Sequence, residues 1–177
     1  MRLYLSSERL GERAGALLAI LSGKRVAVIA NGYDHRDAMA REIYRAEIYD
    51  PMAEFRALGL EPRELDLRAY FGDPQSLKAR LRTFDLVWVM GGNSFILRRA
   101  MRASGFDRVI RELLEADAVA YGGYAAGAVV AGPTLRGLEL MDDPFDCPDG
   151  YGESLVWRGL GLTPFTIVPH YRSLHPE

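Results

Sequence analysis

The sequence has almost no cysteine, no excess of positive charge and no long apolar run. Among its 177 residues the single cysteine, Cys147, has no partner for a disulfide or for a metal site. The 22 lysines and arginines are outnumbered by 24 acidic residues, so the chain has no basic stripe for nucleic acid. It shows no signal region and no apolar run of membrane-spanning length. We therefore expect a cytoplasmic protein that binds neither nucleic acid nor membranes.

Apolar runs and helical patterns alternate along the chain, which predicts one α/β domain over residues 1–177. Such an alternation indicates a mainly parallel sheet with helices on both faces. Residues 137–161 are rich in Asp, Pro and Gly and predict a long loop or a hairpin that flanks the site and forms one wall of it. Strands are predicted at 2–5, 25–30, 84–90 and 118–121, with a weaker edge strand at 64–67. Helices are predicted at 8–21, 37–48, 51–58, 74–82, 94–103, 106–115 and 126–131.

The most informative motif is a nucleophile elbow that lacks its nucleophile. Gly123 and Gly127 stand two residues to either side of Ala125, after an apolar strand and before a small-residue helix. In a Gly-x-Ser-x-Gly elbow this turn lifts a serine hydroxyl clear of the sheet, and the glycines avoid collisions. A methyl group cannot attack a carbonyl. The alternative is a small-residue turn that any α/β protein could contain.

A second motif follows the buried strand at 84–90. Gly91 and Gly92 would let backbone N–H groups point into a crevice at the carboxyl end of the sheet, where such folds bind ligands. One N–H of this turn and that of Ala126 could form the two-donor oxyanion hole of acyl transfer. Asn93 either caps the helix that follows or contacts substrate.

The chain offers three histidines as general bases, at 35, 170 and 175. His170 is favoured because it follows a strand-like run at 165–168, which would bring it to the same sheet edge. His35 follows the strand at 25–30 and either rims the crevice or is a solvated loop residue. Asp142 or Asp143 could orient His170, although that stretch is more typical of a solvated turn.

The diglycine turn, the elbow and Pro169-His170-Tyr171 occur in the order and at the spacing of the dipeptidase E (aspartyl dipeptidase) family of serine peptidases, which this chain resembles along nearly all its length. The resemblance implies a class I glutamine amidotransferase-like fold, that is, a flavodoxin-like three-layer sandwich. It also implies a Ser-His-acid peptidase. No motif supports a metal site, and the diglycine turn lacks the third glycine and the later acid of a dinucleotide site, so we expect no metal and no cofactor. Its substrates would be small peptides with an N-terminal aspartate or, in the cyanophycinase branch, an aspartate-rich polymer. A homodimer is left open.

Carried onto this sequence, the family's nucleophile position falls on Ala125 and its base on His170. The oxyanion donors fall on the N–H groups of Gly92 and Ala126. The roles of these four residues are implied by the resemblance. Gly91 and Asn93, in the diglycine turn itself, are candidate substrate-binding residues.

Two departures from the family bear on activity. Ala125 replaces the serine, so we expect the chain to be inactive as written, as a natural pseudoenzyme or an engineered variant. The chain also ends soon after His170, whereas the family continues through a segment that carries its acidic triad residue. Glu177 does not match that position, so either the segment is missing or the acid is absent. Two alternatives remain: a binding or regulatory protein that keeps the crevice, and a glutamine amidotransferase-like protein, which would need a cysteine at the elbow.

Overall fold

The computed structural model describes residues 1–171, and its centre is a sheet of five strands in the order β1-β5-β4-β2-β3. Every neighbouring pair is parallel. The strands are β1 Leu3–Ser6, β2 Arg25–Ile29, β3 Glu61–Glu64, β4 Leu86–Val89 and β5 Ala120–Tyr124. The helices are α1 Ala14–Ala19, α2 Ala38–Glu47, α3 Pro51–Ala57, α4 Pro74–Leu81, α5 Ser94–Ala103, α6 Phe106–Glu115 and α7 Ala126–Val129. The predicted parallel α/β fold is confirmed.

Side chains alternate along the buried strands and so feed two separate cores. In β4, Val87 and Val89 join the core that contains residues of α4, α5, α6 and α7. Leu86 and Trp88 join the opposite core, which contains residues of α1 and α3. Because successive side chains of a strand point to opposite faces, this division shows that helices cover both faces of the sheet. The result is a three-layer sandwich.

The strand order brings several loops to one edge of the sheet. The run β3-β2-β4-β5 follows the flavodoxin order, and β1 lies beside β5. Between β2 and β4 the order reverses, and ligands of open α/β sheets bind at such a point, beyond the carboxyl ends of the strands. The residues that follow β1, β2, β4 and β5 therefore meet around one crevice.

Local capping explains why α5 and α6 lie where the sequence predicts them. Asn93 accepts the N–H groups of Phe95 and Ile96 at the start of α5, at 2.8 and 3.1 Å. Gly105, with a φ of 73°, makes the sharp turn from α5 into α6. Both helices carry apolar residues at helical spacing, so capping and periodicity agree. None of the helices within residues 1–171 is long and apolar enough to cross a membrane.

Three predicted elements need correction. The helix predicted at 8–21 is shortened to α1, because Arg9 and Gly11 have positive φ angles of 47° and 65°. The edge strand predicted at 64–67 is β3, three residues earlier, because Asp66 accepts the N–H of Arg68 and caps a 3₁₀ turn.

The run at 165–168 forms no strand, so the expected path of His170 to the sheet edge is wrong. Phe165 and Val168 are 60% and 65% exposed. An apolar run forms a strand only where another strand pairs with it, and within residues 1–171 no strand pairs with this run. The contact that brings His170 to the crevice comes instead from the residue after β1, as described below.

We predict that Gly122→Ala destabilises the sheet by about 1–3 kcal/mol, the usual range for overpacking a core. A Cβ at Gly122 would lie 2.6 Å from the ring of Trp88, which is fully buried and cannot move aside. Urea unfolding measures the change. Gly15→Ala is the matched control, because nothing lies within 4 Å of its Cβ position in α1. That helical substitution should stabilise by up to about 1 kcal/mol. Equal effects at the two positions would contradict the packing argument.

Candidate active site

The turn between β5 and α7 has the geometry of a nucleophile elbow. Ala125 adopts a φ of 46° and a ψ of −118°, a conformation that L-residues rarely occupy. A Cβ at Gly127 would lie 2.1 Å from the carbonyl oxygen of Val89, and one at Gly123 would lie 2.8 Å from the carbonyl carbon of Gly127. No side chain fits at either position. The strand, the strained residue and the helix follow one another as the sequence predicts.

Hydrogen bonds on both sides hold Ala125 in this conformation. Its N–H donates to the carbonyl of Ser6 at the end of β1, at 3.3 Å. Its carbonyl accepts the N–H groups of Ala128 and Val129, each at 2.9 Å. A strained residue persists only where its surroundings over-determine it, and here β1, β5 and α7 do so together.

The diglycine turn lies directly against the elbow. Gly92 has a φ of 97°, and a Cβ on it would lie 2.5 Å from the carbonyl carbon of Gly32. The N–H of Asn93 donates to the carbonyl of Gly32 at 2.8 Å, which joins the loops after β2 and β4. A Cβ on Gly91 would lie 3.2 Å from the Ala125 side chain. The diglycine turn and the elbow therefore lie next to each other at the edge of the sheet, as the sequence predicts.

Asn93 is used by the fold itself. Besides capping α5, its side-chain amide donates to the carbonyl of Asp143 at 2.9 Å. The capping interpretation therefore describes what Asn93 does in this structure. A contact of Asn93 with substrate stays a prediction.

A cleft of about 670 Å³ brings the other predicted residues together. Gly92, Ala125, Ala126 and His170 all line it, and His35 lies exposed on its wall. Within residues 1–171, the N–H groups of Gly92 and Ala126 donate to no acceptor. Two backbone donors are thus available beside the elbow.

His170 is anchored to the cleft by the segment after β1. Its backbone N–H donates to the hydroxyl of Ser7 at 2.6 Å, and its own φ is 58°. Sequence reasoning did not single out Ser7, because nothing local links a serine near the N-terminus to a histidine 163 residues later. His175 and Glu177 lie outside the described residues.

The long loop predicted at 137–161 does form a wall of the cleft. Asp142 accepts the N–H of Ser94 at 2.8 Å, and Asp143 accepts the N–H of Phe145 at 2.9 Å. These two carboxylates therefore shape the loop and its contact with α5. The loop residues that line the cleft are Leu138, Leu140, Met141, Asp142, Asp143 and Asp146.

Two buried contacts fix this loop in place. The guanidinium of Arg99, on α5, donates to the carbonyls of Pro144 and Asp146 at 2.9 and 3.1 Å. The hydroxyl of Tyr151 donates to Asp34, in the loop after β2. Burial raises the pKa of the Tyr151 hydroxyl, and the bond to the Asp34 carboxylate raises it further, so Tyr151 keeps its proton.

The thiol of Cys147 points to the carbonyls of Tyr151 and Gly152, at 3.9 and 3.7 Å. Cys147 is therefore held inside the loop, away from the elbow.

A cluster of three tyrosines was missed at the sequence level. The hydroxyl of Tyr33 donates to that of Tyr44 at 3.1 Å and lies 3.3 Å from that of Tyr124. Burial raises the pKa values of Tyr33 and Tyr124, so both stay protonated. A signal was available, because Tyr124 lies inside the elbow and Tyr33 follows the neighbouring strand β2. The sequence analysis predicted histidines at this edge of the sheet and did not predict these tyrosines.

The sheet, the elbow and the cleft define an α/β protein with the architecture of a hydrolase. The chain belongs to peptidase family S51, whose sequence model matches residues 37–177. This confirms the resemblance to the dipeptidase E family that the motifs indicate.

Curated relatives agree with this membership. An uncharacterized peptidase of Listeria innocua is 34% identical over 118 residues, which are 66% of this chain and 53% of that protein. Peptidase E of Streptomyces coelicolor is 36% identical over 105 residues, 59% of this chain and 38% of that protein. The chain thus spans about half the length, or less, of these relatives.

Solved structures share the fold. A candidate peptidase E from Listeria monocytogenes EGD-e superposes with a TM-score of 0.76 and 25% identity, over 97% of this chain and 80% of that one. A peptidase from an acI-B1 actinobacterium has a TM-score of 0.67 at 16% identity, over 97% of this chain and 69% of that one. The second likeness concerns the fold alone.

We predict that Ala125→Gly stabilises the protein by up to about 1 kcal/mol, because glycine relieves the strain at a φ of 46°. Part of the gain is offset by the greater freedom of glycine in the unfolded chain. Thermal or urea unfolding measures the change. Ala128→Gly is the matched control: it lies three residues later in α7 and should destabilise by roughly 1 kcal/mol. A lower stability of Ala125→Gly would show that the turn carries no strain.

Proposed function

We propose that this cleft is the site of a Ser-His-acid peptidase of family S51 in which Ala125 occupies the position of the nucleophile. Its ligands are small peptides, with aspartate preferred at the N-terminus. The observation that carries the proposal is the strained turn at Ala125, which lies on the cleft wall beside two available backbone donors. Strained residues cluster at active sites, and a strand-to-helix elbow presents the side chain at its tip to a ligand.

In a serine form, the hydroxyl at position 125 attacks the carbonyl carbon of the scissile peptide bond while His170 takes its proton. The developing oxyanion accepts hydrogen bonds from the N–H groups of Gly92 and Ala126. His170 then returns the proton to the departing amine, which leaves an acyl-enzyme. Water, deprotonated by His170, attacks the ester, and His170 returns that proton to the serine oxygen as the acid product leaves. No cofactor takes part in these steps.

As written, the chain binds and does not turn over. Removing a serine nucleophile costs on the order of a millionfold in rate, while the oxyanion donors and the cleft remain. Ala125 therefore also favours a second function, in which the cleft retains peptides for binding or regulation. The glutamine amidotransferase alternative is disfavoured, because Cys147 is held within the 137–161 loop and not at the elbow.

We predict that Ala125→Ser restores hydrolysis of dipeptides such as Asp-Leu, because the strained turn would present the new hydroxyl to the cleft. Release of free leucine, followed by chromatography, measures the activity. In the serine background His170→Ala should abolish hydrolysis, because the proton then has no acceptor. His35→Ala is the matched control: His35 is exposed on the same cleft, so the rate should stay within about tenfold.

Any longer natural form of the chain is assayed in the same way. Loss of the acid that orients the histidine can lower the rate of a triad about ten-thousandfold. A folded serine form that hydrolyses none of a panel of aspartyl, asparaginyl and ester substrates would refute the peptidase proposal. Retained peptide binding by that protein would then support the binding function.

A further inference from the structure

Charges of opposite sign lie on different sides of the cleft. Arg36 stands over Tyr33 and Tyr44, and both of these rings pack on the core of the α1 and α3 face. The loop that carries Asp142, Asp143 and Asp146 is tied to α5, which belongs to the core of the other face. Apart from the ion-paired Glu8 and Arg9, the cleft therefore carries positive charge on one side and negative charge on the other.

Arg36 is the arginine of this region without a carboxylate partner. Within residues 1–171 no carboxylate oxygen lies within 4.0 Å of its guanidinium. The other arginines that line the cleft or the adjoining cavity are all ion-paired: Arg9 with Glu8, Arg41 with Asp34, Arg45 with Glu64 and Arg68 with Asp66. A single guanidinium is thus left to bind an anion from outside.

The position of Arg36 is fixed by the aromatic rings beneath it. Its guanidinium carbon lies 5.1 Å from the ring centroid of Tyr33 and 5.5 Å from that of Tyr44. Cation–π contact restrains a side chain that would otherwise sample many rotamers, and this lowers the entropy lost on binding. The guanidinium still faces solvent, since Arg36 is exposed.

The same tyrosine connects Arg36 to the reacting position. The Tyr33 hydroxyl and the Ala125 methyl both lie 3.2 Å from the point that a Cβ on Gly91 would occupy. Tyr33 therefore lies between Arg36, which stands over its ring, and the surroundings of the elbow, which its hydroxyl approaches. Room exists there, because a second cavity of about 280 Å³ adjoins the cleft and shares Tyr33, Arg36 and Tyr44 with it.

We propose that Arg36 is the specificity-determining residue that binds a carboxylate of the peptide ligand. The ligand's ammonium faces the acidic wall, where the Asp146 carboxylate has no hydrogen-bond donor among residues 1–171. This inference rests on the proposed function of the cleft as a peptide site. Arginine suits the role because its planar fork matches a carboxylate with two parallel N–H donors.

Two carboxylates of an aspartyl dipeptide have this chemistry, the side chain of the first residue and the C-terminus of the second. Isothermal titration calorimetry on the chain as written distinguishes them, because Ala125 permits binding without turnover. The three ligands are Asp-Leu, Asn-Leu, which lacks the side-chain carboxylate, and Asp-Leu amide, which lacks the terminal one. We expect Asp-Leu to bind about tenfold or more tightly than the analogue that lacks the recognised carboxylate.

Arg36→Gln should remove that preference and leave the two ligands within about twofold of each other, while Arg36→Lys should keep part of it. Arg9→Gln is the matched control. Arg9 also lines the cleft over a tyrosine ring, at 5.6 Å from that of Tyr49, but it is paired with Glu8 at 3.7 Å. The preference should survive in Arg9→Gln, and circular dichroism verifies the fold of each variant.

The outcomes separate this inference from the proposed function. Equal binding of all three ligands, a preference that survives Arg36→Gln, or its equal loss in Arg9→Gln would each overturn the role of Arg36 and leave the peptide site standing. A folded protein that binds none of the three peptides would overturn the proposed function and the inference with it.

Discussion

Contact between bare backbones at the carboxyl edge of the sheet is the constraint on which the rest of the site depends. A Cβ at Gly127 would fall 2.1 Å from the carbonyl oxygen of Val89, and one at Gly32 would fall 2.4 Å from that of Gly91. Each approach is possible only because the residue that faces the carbonyl, Gly127 or Gly32, has no side chain. These approaches bring the loops after β2, β4 and β5 closer together than any packed side chains would allow. The elbow, the diglycine turn and the tyrosine cluster share one cleft as a result.

The same backbone contacts explain why Ala125 adopts the strained conformation although it is not a serine. The φ of Ala125 follows from how β5 enters the turn and how α7 leaves it, and both are fixed by contacts of their neighbours. The side chain at position 125 contributes little to this. A methyl group at this position therefore leaves in place the architecture that a serine hydroxyl would need under the proposed function.

The sequence predicted elements well where two local signals agree. Helix α5 begins and ends as expected because the Asn93 cap and the apolar spacing specify the same residues. Prediction failed where one signal stood alone. The run at 165–168 is apolar but has no strand to pair with, and the pattern at 8–21 contains two left-handed residues that stop a helix. Apolar composition shows what a segment could bury, and only the fold shows whether it does.

The same limit applies to the site. Residues that follow buried strands could be assigned to one edge from topology, as Gly92 was, and the elbow pattern of glycines identified Ala125. The bond from His170 to Ser7 and the stacking of Arg36 on Tyr33 join segments with no local pattern in common. Such contacts depend on which loops the glycines allow to meet, and a single sequence does not record that.

In the proposed peptide site, binding and catalysis are separable because different elements carry them. Ala125, the proposed reacting position, lies between β5 and α7, whereas the candidate recognition charges lie on the loop after β2 and on the 137–161 loop. A substitution at the elbow alters one element and leaves the others in place, since Gly32 and Gly92 hold the β2 loop through backbone contacts that do not involve residue 125. Under the proposed function, the same cleft would serve a peptidase that carries serine at position 125 and a peptide-binding protein that carries alanine there. The charged walls would select the ligand in both, and residue 125 would decide whether the bound peptide is cleaved.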